Sequence, residues 1–411
     1  MSTVKPFKAG RPKKEFAGRV AALPYDVMNT EEAASRAEKN DLTFLRVDRA
    51  EIDFPAGTDI YSEKVYKKAA ENLNAYFENG VCFREAGERF YIYRQIMGER
   101  VQHGIVGCAG VDDYLNGVIK RHELTRADKE EDRIRHVDTC NANTGPIFLA
   151  YRENKTLKNL ISDYIVRQPE YDFISEGDVK NTVWVIDETD NEKIVEAFKN
   201  IDCLYIADGH HRAASAVKVA LKRREEFPDY KGDEEFNFFL SVFFCADELK
   251  ILDYNRLIKD TNSLTDDEMF GKISEFFSVE EAAVPVSSEA RHIFGMYYKN
   301  KWYKLTLKDG IADETDAVKS LDVSILQSLV NEPIFGIGDP RTDKRIDFVG
   351  GIRGLKELEK RCSEDMAIAF SMYPTSIEEL MNIADNGKIM PPKSTWFEPK
   401  LLSGLFIHFL S

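Results

Sequence analysis

The chain has 411 residues, enough for two or three packed units at roughly 100 to 200 residues per domain. Its 43% hydrophobic and 31% charged residues are typical of a globular protein, which excludes the disordered and fibrous classes. With 71 acidic against 56 basic residues the net charge is −15, so we expect no nucleic-acid partner, because a phosphate backbone would be repelled.

The cysteines and apolar runs bear on the cellular compartment. Six cysteines are scattered without a C-x-x-C pair, which favours reduced thiols over a disulfide framework or a zinc knuckle. The basic residues of segment 1–16 are followed by no apolar stretch. The longest near-apolar run, 236–246, is about half of the roughly 20 residues that a spanning helix needs. We therefore expect a cytoplasmic protein with no membrane partner.

Periodicity in the first part of the chain predicts alternating helices and strands. Segment 62–79 has apolar residues at helical spacing, and segment 89–107 alternates as a β-hairpin does. Short apolar runs at 183–186 and 203–207 predict strands between charged helices. Segment 238–245 is apolar on both parities, which predicts a central strand covered on both faces. Together these elements predict an α/β fold with a mixed sheet.

The later part of the chain predicts a second unit. An acidic stretch rich in Ser and Thr follows residue 261, and beyond it the pattern predicts a second hairpin at 293–307, a helix at 322–329 and further strand–helix pairs. We therefore predict an α/β core over residues 1–265 and a smaller C-terminal α/β unit over residues 266–411, packed on the core.

The segment from Cys203 to Leu221 is the most informative for chemistry. It is a predicted strand, then the turn Asp208-Gly209-His210-His211-Arg212, then a helix beginning near His210. A helix N-terminus attracts anions, Gly209 lets a ligand approach the backbone, and Arg212 can donate to two phosphate oxygens. We predict a phosphate site at this turn. The alternative is that Asp208 caps the helix and the histidines are solvated.

A second polar cluster comprises Lys120, Arg121, His122 and Glu123, followed by a charged helix after Thr125. The plain interpretation is a solvated surface with i,i+4 ion pairs. The sharper one is catalytic: Glu123 or His122 takes a proton from a substrate hydroxyl, and Arg121 or Lys120 neutralises phosphate charge. This cluster and the Asp208–Arg212 turn would then face each other across one cleft.

A metal-dependent hydrolase is the competing interpretation of the same residues. Mixed nitrogen and oxygen ligands for Mn, Fe or Zn are available, namely His122, Glu123, His136, Asp138, Asp208, His210 and His211. Their spacings match no standard metal motif, so we expect no protein-bound transition metal. Mg²⁺ carried by a nucleotide is the expected ion if the protein is a kinase.

Three further segments are candidates of lower specificity. A Pro-Pro loop places Lys393, Ser394 and Thr395 where they could bind a phosphate or carboxylate, although such a loop also pins a C-terminal tail. Segment 143–146 is predicted to be only a turn. In segment 24–27, an aspartate either lies near the site or caps the helix that follows.

The turn and the wider pattern resemble known families. I-A-D-G-H-H-R-x-x-S-A resembles the ParB/sulfiredoxin superfamily signature, a strand, turn and helix that bind nucleotide phosphates. The whole chain resembles the domain-of-unknown-function 1015 family, whose hallmarks here are Lys5-Pro6-Phe7, Pro24-Tyr25-Asp26-Val27, Tyr91-Ile92-Tyr93-Arg94-Gln95, Lys120-Arg121-His122-Glu123, Asp132-Arg133, Asp208 to Arg212, Asn255-Arg256, Pro391-Pro392-Lys393-Ser394-Thr395 and Pro399-Lys400.

The superfamily resemblance implies a ParB/sulfiredoxin-like core. It also limits the reactions that the protein could catalyse. Its members include ADP-dependent free serine kinases, CTP-hydrolysing partition proteins and sulfiredoxin. Sulfiredoxin chemistry needs a cysteine inside the turn, and partition proteins need a basic DNA-binding domain; this sequence has neither. It also lacks the P-loop and G-x-G-x-x-G signatures.

The resemblance therefore implies an enzyme that uses ADP or ATP with Mg²⁺ to phosphorylate a small hydroxyl metabolite, as a free serine kinase does. It also implies that Asp208, Gly209, His210, His211 and Arg212 bind phosphate, with Asp208 or a histidine in a catalytic position near the transferred group. The alternatives are the metal-dependent hydrolase and a non-catalytic protein that binds a nucleotide or phosphometabolite. The expected partner is a small-molecule substrate, and the sequence is compatible with a homo-oligomer.

Overall fold

The computed structural model describes residues 1–411 and separates into two units. The first unit comprises Met1–Arg121, Thr125–Leu249 and Pro399–Ser411, and the second comprises His122–Leu124 and Lys250–Glu398. The main division therefore follows Leu249, before the boundary that we placed at 265/266. The reason is that strand Tyr254–Ile258 pairs with strands of the C-terminal sheet.

The first unit contains most of the secondary structure. Its strands are β1 (Val4–Lys5), β2 (Gly10–Pro12), β3 (Cys82–Arg84), β4 (Tyr91–Met97), β5 (Arg100–Gly110), β6 (Ile119–Lys120), β7 (Ala142–Asn143), β8 (Ile147–Tyr151), β9 (Tyr171–Ser175), β10 (Val179–Val185), β11 (Leu204–Asp208) and β12 (Phe238–Cys245). Its α-helices are α1 (Ala17–Val20), α2 (Thr30–Lys39), α3 (Leu45–Asp48), α4 (Glu63–Glu78), α5 (Val111–Leu115), α6 (Ala127–Cys140), α7 (Lys155–Ile165), α8 (Asn191–Lys199) and α9 (His210–Glu226).

Nine strands of the first unit form one mixed sheet. The order is β6-β11-β8-β12-β5-β4-β10-β9, with β1 also paired to β5. β12 runs parallel to β8 and antiparallel to β5, so it occupies the interior of the sheet. Its residues from Phe239 to Phe244 are all buried, which confirms the prediction from its two-sided apolar pattern. The predicted mixed α/β fold is also confirmed.

Helix α9 packs on this sheet through small residues. Ala213, Ala216, Val217 and Ala220 belong to the same apolar core cluster as the sheet residues, and each is at most 5% exposed. Side chains of this size let the helix approach the strands closely. Leu221, the next residue, lies at the edge of this face and is 38% exposed. The position of α9 places the start of the helix directly beyond the end of β11.

The second unit has an antiparallel sheet. Its strands are β13 (Ile251–Leu252), β14 (Tyr254–Ile258), β15 (Phe277–Ala282), β16 (Ile293–Tyr298), β17 (Lys301–Leu307), β18 (Ile346–Gly350), β19 (Ile368–Ser371) and β20 (Trp396–Phe397), and its α-helices are α10 (Asp266–Phe276), α11 (Asp322–Leu326), α12 (Leu355–Glu364) and α13 (Ile377–Asp385).

Six of these strands form the sheet in the order β15-β17-β16-β19-β14-β18, and every adjacent pair is antiparallel. Capping boxes at Thr265 and Ser376 fix the starts of α10 and α13. The helix predicted at 322–329 is α11 followed by a π-helical turn, Gln327–Asn331.

The end of the chain belongs to the first unit again, where β21 (His408–Phe409) pairs with β7. None of the helices combines the length and the apolar character that a membrane crossing requires.

Candidate phosphate-binding site

The predicted strand, turn and helix around Asp208 are confirmed in the first unit. β11 ends at Asp208 and α9 begins at His210. Gly209 between them has φ +93°, and a Cβ atom there would lie 3.1 Å from Nε of Arg212. Glycine is therefore required for two reasons, the left-handed backbone and the close guanidinium. Gly209 offers no side chain to cap the helix, so the positive end of the α9 dipole carries no side-chain cap.

Asp208 stays ionised because two cations flank it. Nη2 of Arg212 lies 3.2 Å from one carboxylate oxygen, and Nζ of Lys400 lies 3.6 Å from the other. Burial opposes ionisation, but Lys400, Arg212 and His210 more than offset it and lower the pKa of Asp208 to about 2. Two permanent cations and a helix N-terminus thus surround one carboxylate. The excess of positive charge suits an anionic ligand.

Arg212 is held by the fold as well as by Asp208. Its Nη1 donates to the carbonyl of Pro146 and its Nη2 to Asp208. Its Nε is shielded from solvent and has no hydrogen-bond partner. We predicted that its guanidinium donates to two phosphate oxygens, but two of its three nitrogens already donate within the first unit. Segment 143–146, predicted to be only a turn, supplies the carbonyl that orients this arginine.

The two histidines of the turn differ in exposure. His210 is buried and contributes to the low pKa of Asp208. His211 is half-buried, and its carbonyl accepts a hydrogen bond of 2.7 Å from the hydroxyl of Ser215. This bond ties the first turn of α9 to its second turn and so stabilises the backbone of the site.

A small cavity of about 30 Å³ lies beside Arg212. Apart from Arg212 and His136, its lining residues were not predicted to form a site. Its polar lining includes Tyr25, Asp48, Arg133, His136 and Thr144. This volume suits an ion or water molecules, whereas a ligand the size of a nucleotide needs several hundred Å³.

The polar residues that line the cavity have hydrogen-bond or ion-pair partners within the first unit. Arg133 pairs with Asp132 at 2.9 Å, and its guanidinium lies 4.0 Å from the ring of Tyr25. Thr144 donates to Asp48 at 2.8 Å. Two hallmark motifs, 24–27 and 132–133, therefore meet here, and the residue contributed by the first is Tyr25 rather than Asp26. The helix after that motif is capped by Asn29, so Asp26 does not cap it.

His136 also lies in this cavity, and it is held as a neutral imidazole. Burial, together with the charge of Arg133, lowers its pKa. Its Nε2 lies 3.1 Å from the carbonyl of Val47, so this nitrogen carries the proton.

Five of the predicted site residues belong to the second unit: His122, Glu123, Lys393, Ser394 and Thr395. Two separate motifs meet there, because Nε2 of His122 lies 3.4 Å from the Thr395 hydroxyl. Glu123 is half-buried. Ser394 donates to the carbonyl of Pro391 at 2.6 Å, a bond that closes its own loop.

The two predicted cationic residues outside the turn lie against aromatic rings. Lys393 is exposed, with φ +58° and its Nζ 5.7 Å from the ring centroid of Tyr254. Arg121, in the first unit, is exposed and lies 5.0 Å from the ring centroid of Tyr114. Its Nη1 is 3.3 Å from the hydroxyl of the same tyrosine. Neither contact is with a carboxylate, in contrast to Lys400.

The fold is mixed α/β, and the Asp208–Arg212 turn joins a strand to a helix in its first unit. The chain belongs to the family described as "Protein of unknown function (DUF1015)", whose model matches residues 4–324. No curated protein matches the chain significantly.

Several solved structures are similar to this one. A mutant free serine kinase in complex with ADP is 15% identical, with a TM-score of 0.35 and coverage of 72% of this chain and 88% of that one. A conserved hypothetical protein from Pyrococcus furiosus is 15% identical, with a TM-score of 0.32 and coverage of 72% and 90%. C-terminally truncated SbnI from Staphylococcus aureus is 11% identical, with a TM-score of 0.38 and coverage of 72% and 85%.

Proposed function

We propose that the chain binds ADP or ATP through its phosphates at the Asp208–Arg212 turn and transfers a phosphoryl group to the hydroxyl of a small metabolite. The observation that supports this most is the charge balance of the turn: Lys400 and Arg212 surround the single carboxylate of Asp208 at the N-terminus of α9. The resemblance of the turn to nucleotide-binding superfamily members points the same way.

In this proposal residues of the first unit neutralise the negative charge of the nucleotide phosphates. Phosphoryl transfer depends mainly on positioning the reactants and on stabilising charge on the phosphate oxygens. Arg212, Lys400 and the first turn of α9 would do this. The carboxylate of Asp208 is 28% exposed and ionised at neutral pH, so it fits an oxygen ligand of Mg²⁺. Mg²⁺, when bound, would supply further neutralisation of the phosphates.

The acceptor side of the proposal uses residues of the second unit. We propose that Glu123 or His122 takes the proton of the acceptor hydroxyl, since a general base must come within hydrogen-bond distance of that proton. Thr395 lies beside His122 and could orient it or the acceptor. Lys393, Ser394 and Arg121 remain proposed binding residues.

Thermal unfolding with nucleotides tests the binding step. ADP, ATP, CTP and adenosine would each be added with and without Mg²⁺, because adenosine lacks the phosphates. A nucleotide at 100 times its Kd should stabilise the protein by about 2.7 kcal/mol. Arg212→Gln should abolish the shift. The matched control is Arg224→Gln, which removes a guanidinium paired with Asp112 near the other end of α9.

Transfer itself would be tested by incubating the protein with radiolabelled nucleotide and pools of hydroxyl compounds. A labelled product that requires Asp208 would support the kinase. If adenosine stabilises as well as ADP, or no nucleotide shifts the melting temperature, the proposal fails. Stoichiometric Mn, Fe or Zn in a protein that binds no nucleotide would favour the hydrolase instead.

A further inference from the structure

Lys400 lies beside the Asp208–Arg212 turn, although from the sequence we predicted Lys393 as the lysine that binds phosphate. Its side chain is 11% exposed, and its Nζ lies 3.6 Å from Asp208. The residue follows the Pro-Pro loop motif and belongs to the first unit. A lysine is a compact charge on a flexible stem with three donors, which suits contact with phosphate oxygens.

The main chain directly after the Cα atom of this lysine is held by two buried side chains. Nε2 of Gln95 donates to the carbonyl of Lys400 at 2.9 Å. The backbone N–H of Leu402 donates to the hydroxyl of Tyr93. Tyr93 and Gln95 are both fully buried on β4. We refer to these two residues as the clamp.

The clamp is itself held by a polar row in the interior of the sheet. The hydroxyl of Tyr93 donates to Asn181 at 2.6 Å, and Gln102 donates to the side-chain carbonyl of Gln95 at 3.0 Å. Asn181 and Gln102 are at most 1% exposed. Buried amides cost free energy unless every group is satisfied, and the members of this row hydrogen-bond one another. A satisfied row that ends on the backbone of one lysine indicates a role in placing that lysine.

Lys400 and Arg212 approach the same carboxylate, that of Asp208. Two nitrogens of Arg212 donate to Pro146 and Asp208, both within the first unit. The ammonium of Lys400 lies beside the other oxygen of Asp208 and carries three N–H donors. A phosphate bound at the turn would therefore lie close to this ammonium as well as to the Arg212 guanidinium.

We infer that Lys400 contacts the phosphate oxygens of the nucleotide, and that Tyr93 and Gln95 are positioning residues that place it. This inference rests on the proposed function, and it adds the ligand contact and the device that orients it. It predicts that the clamp matters for phosphate recognition and not for recognition of the nucleoside.

Calorimetric titration with ADP and with adenosine, both in the presence of Mg²⁺, tests the inference on the full chain. Lys400→Met should weaken ADP binding by about 10- to 100-fold, as expected for a charged hydrogen bond, and Lys400→Arg should restore most of it. Gln95→Leu should weaken ADP binding about 3- to 10-fold, because it removes the neutral hydrogen bond that holds the carbonyl of Lys400. Adenosine affinity should change less than about twofold in all three variants, since adenosine does not reach Lys400. The matched control is Lys158→Met, which removes another lysine paired with a carboxylate of the first unit.

A general loss of structure would weaken ADP and adenosine alike, and that outcome would overturn the inference. Unchanged ADP binding in Lys400→Met would also overturn it. If the Gln95→Leu variant binds ADP as tightly as the wild type does, the inference that the clamp positions Lys400 is wrong.

Inorganic pyrophosphate separates this inference from the proposed function. If the wild type binds no nucleotide but binds pyrophosphate in a manner that needs Lys400 and Gln95, the kinase proposal fails and the anion contact stands. If neither ligand binds, both fail. Carboxyl NMR of Asp208 gives an independent readout, because Gln95→Leu should raise the pKa of Asp208 toward that in Lys400→Met when the clamp places the lysine.

Discussion

Replacing Gly209 with alanine should damage the phosphate turn in a measurable and separable way. The left-handed backbone at φ +93° costs a residue with a Cβ about 1–2 kcal/mol. The new Cβ would also lie 3.1 to 3.2 Å from three atoms of the Arg212 guanidinium. That group cannot move freely, because it donates to Pro146 and Asp208. Displacing it should cost about 1–2 kcal/mol more, so the variant should lose about 2–4 kcal/mol.

Gly57 provides the matched control for the backbone contribution. It has φ +83°, and a Cβ there would meet nothing within 4 Å, so Gly57→Ala should lose only about 1–2 kcal/mol. Urea unfolding would give the free energies of unfolding, and hydrogen exchange would show whether protection is lost in β11 and α9. The double variant Gly209→Ala/Arg212→Ala should be about 1–2 kcal/mol more stable than the sum of the two single losses predicts, because the clash with the guanidinium is then absent. Equal losses at Gly209 and Gly57, or simple additivity with Arg212, would refute the steric reasoning.

Three further predictions concern buried groups. Burial raises the pKa of Asp322 to about 7, above its unfolded value of about 3.9, so its contribution to stability is full below pH 4 and lost as the pH rises through 7. Asp322→Asn should therefore stabilise the protein by about 4 kcal/mol at pH 8 and little at pH 4, and equal effects at both pH values would contradict this. The pKa of Asp208, about 2, lies below its unfolded value, so its contribution of about 3 kcal/mol is present above pH 4 and lost between about pH 4 and 2. In Lys400→Met that loss should begin at higher pH in acid titrations of stability. Phe243→Ala empties a fully buried position on the interior strand β12 and should cost about 3–5 kcal/mol in urea unfolding, whereas a cost below about 1 kcal/mol would argue against its placement.

The elements that could be predicted from sequence are those with a strong local pattern. The helix over 63–78 and the strand over 238–245 follow from apolar spacing within a single window. The strand–turn–helix at Asp208 follows from an apolar run, a glycine and a run of small residues. In each case neighbours along the chain determine the backbone, so no distant contact is needed. The polar residues of the turn could be recognised because they are contiguous in the sequence.

The partners of the turn could be decided only by the tertiary structure. Lys400 lies seven positions after Lys393 and 3.6 Å from Asp208, and nothing local in the sequence indicates that contact. The bond from Gln95 to Lys400 spans 305 positions and leaves no periodic trace. Long-range polar contacts depend on which strands pair, and that choice is made by the burial of the whole sheet. The sequence by itself thus determined the chemistry of the turn, and the packing of the sheet determined which cation completes it.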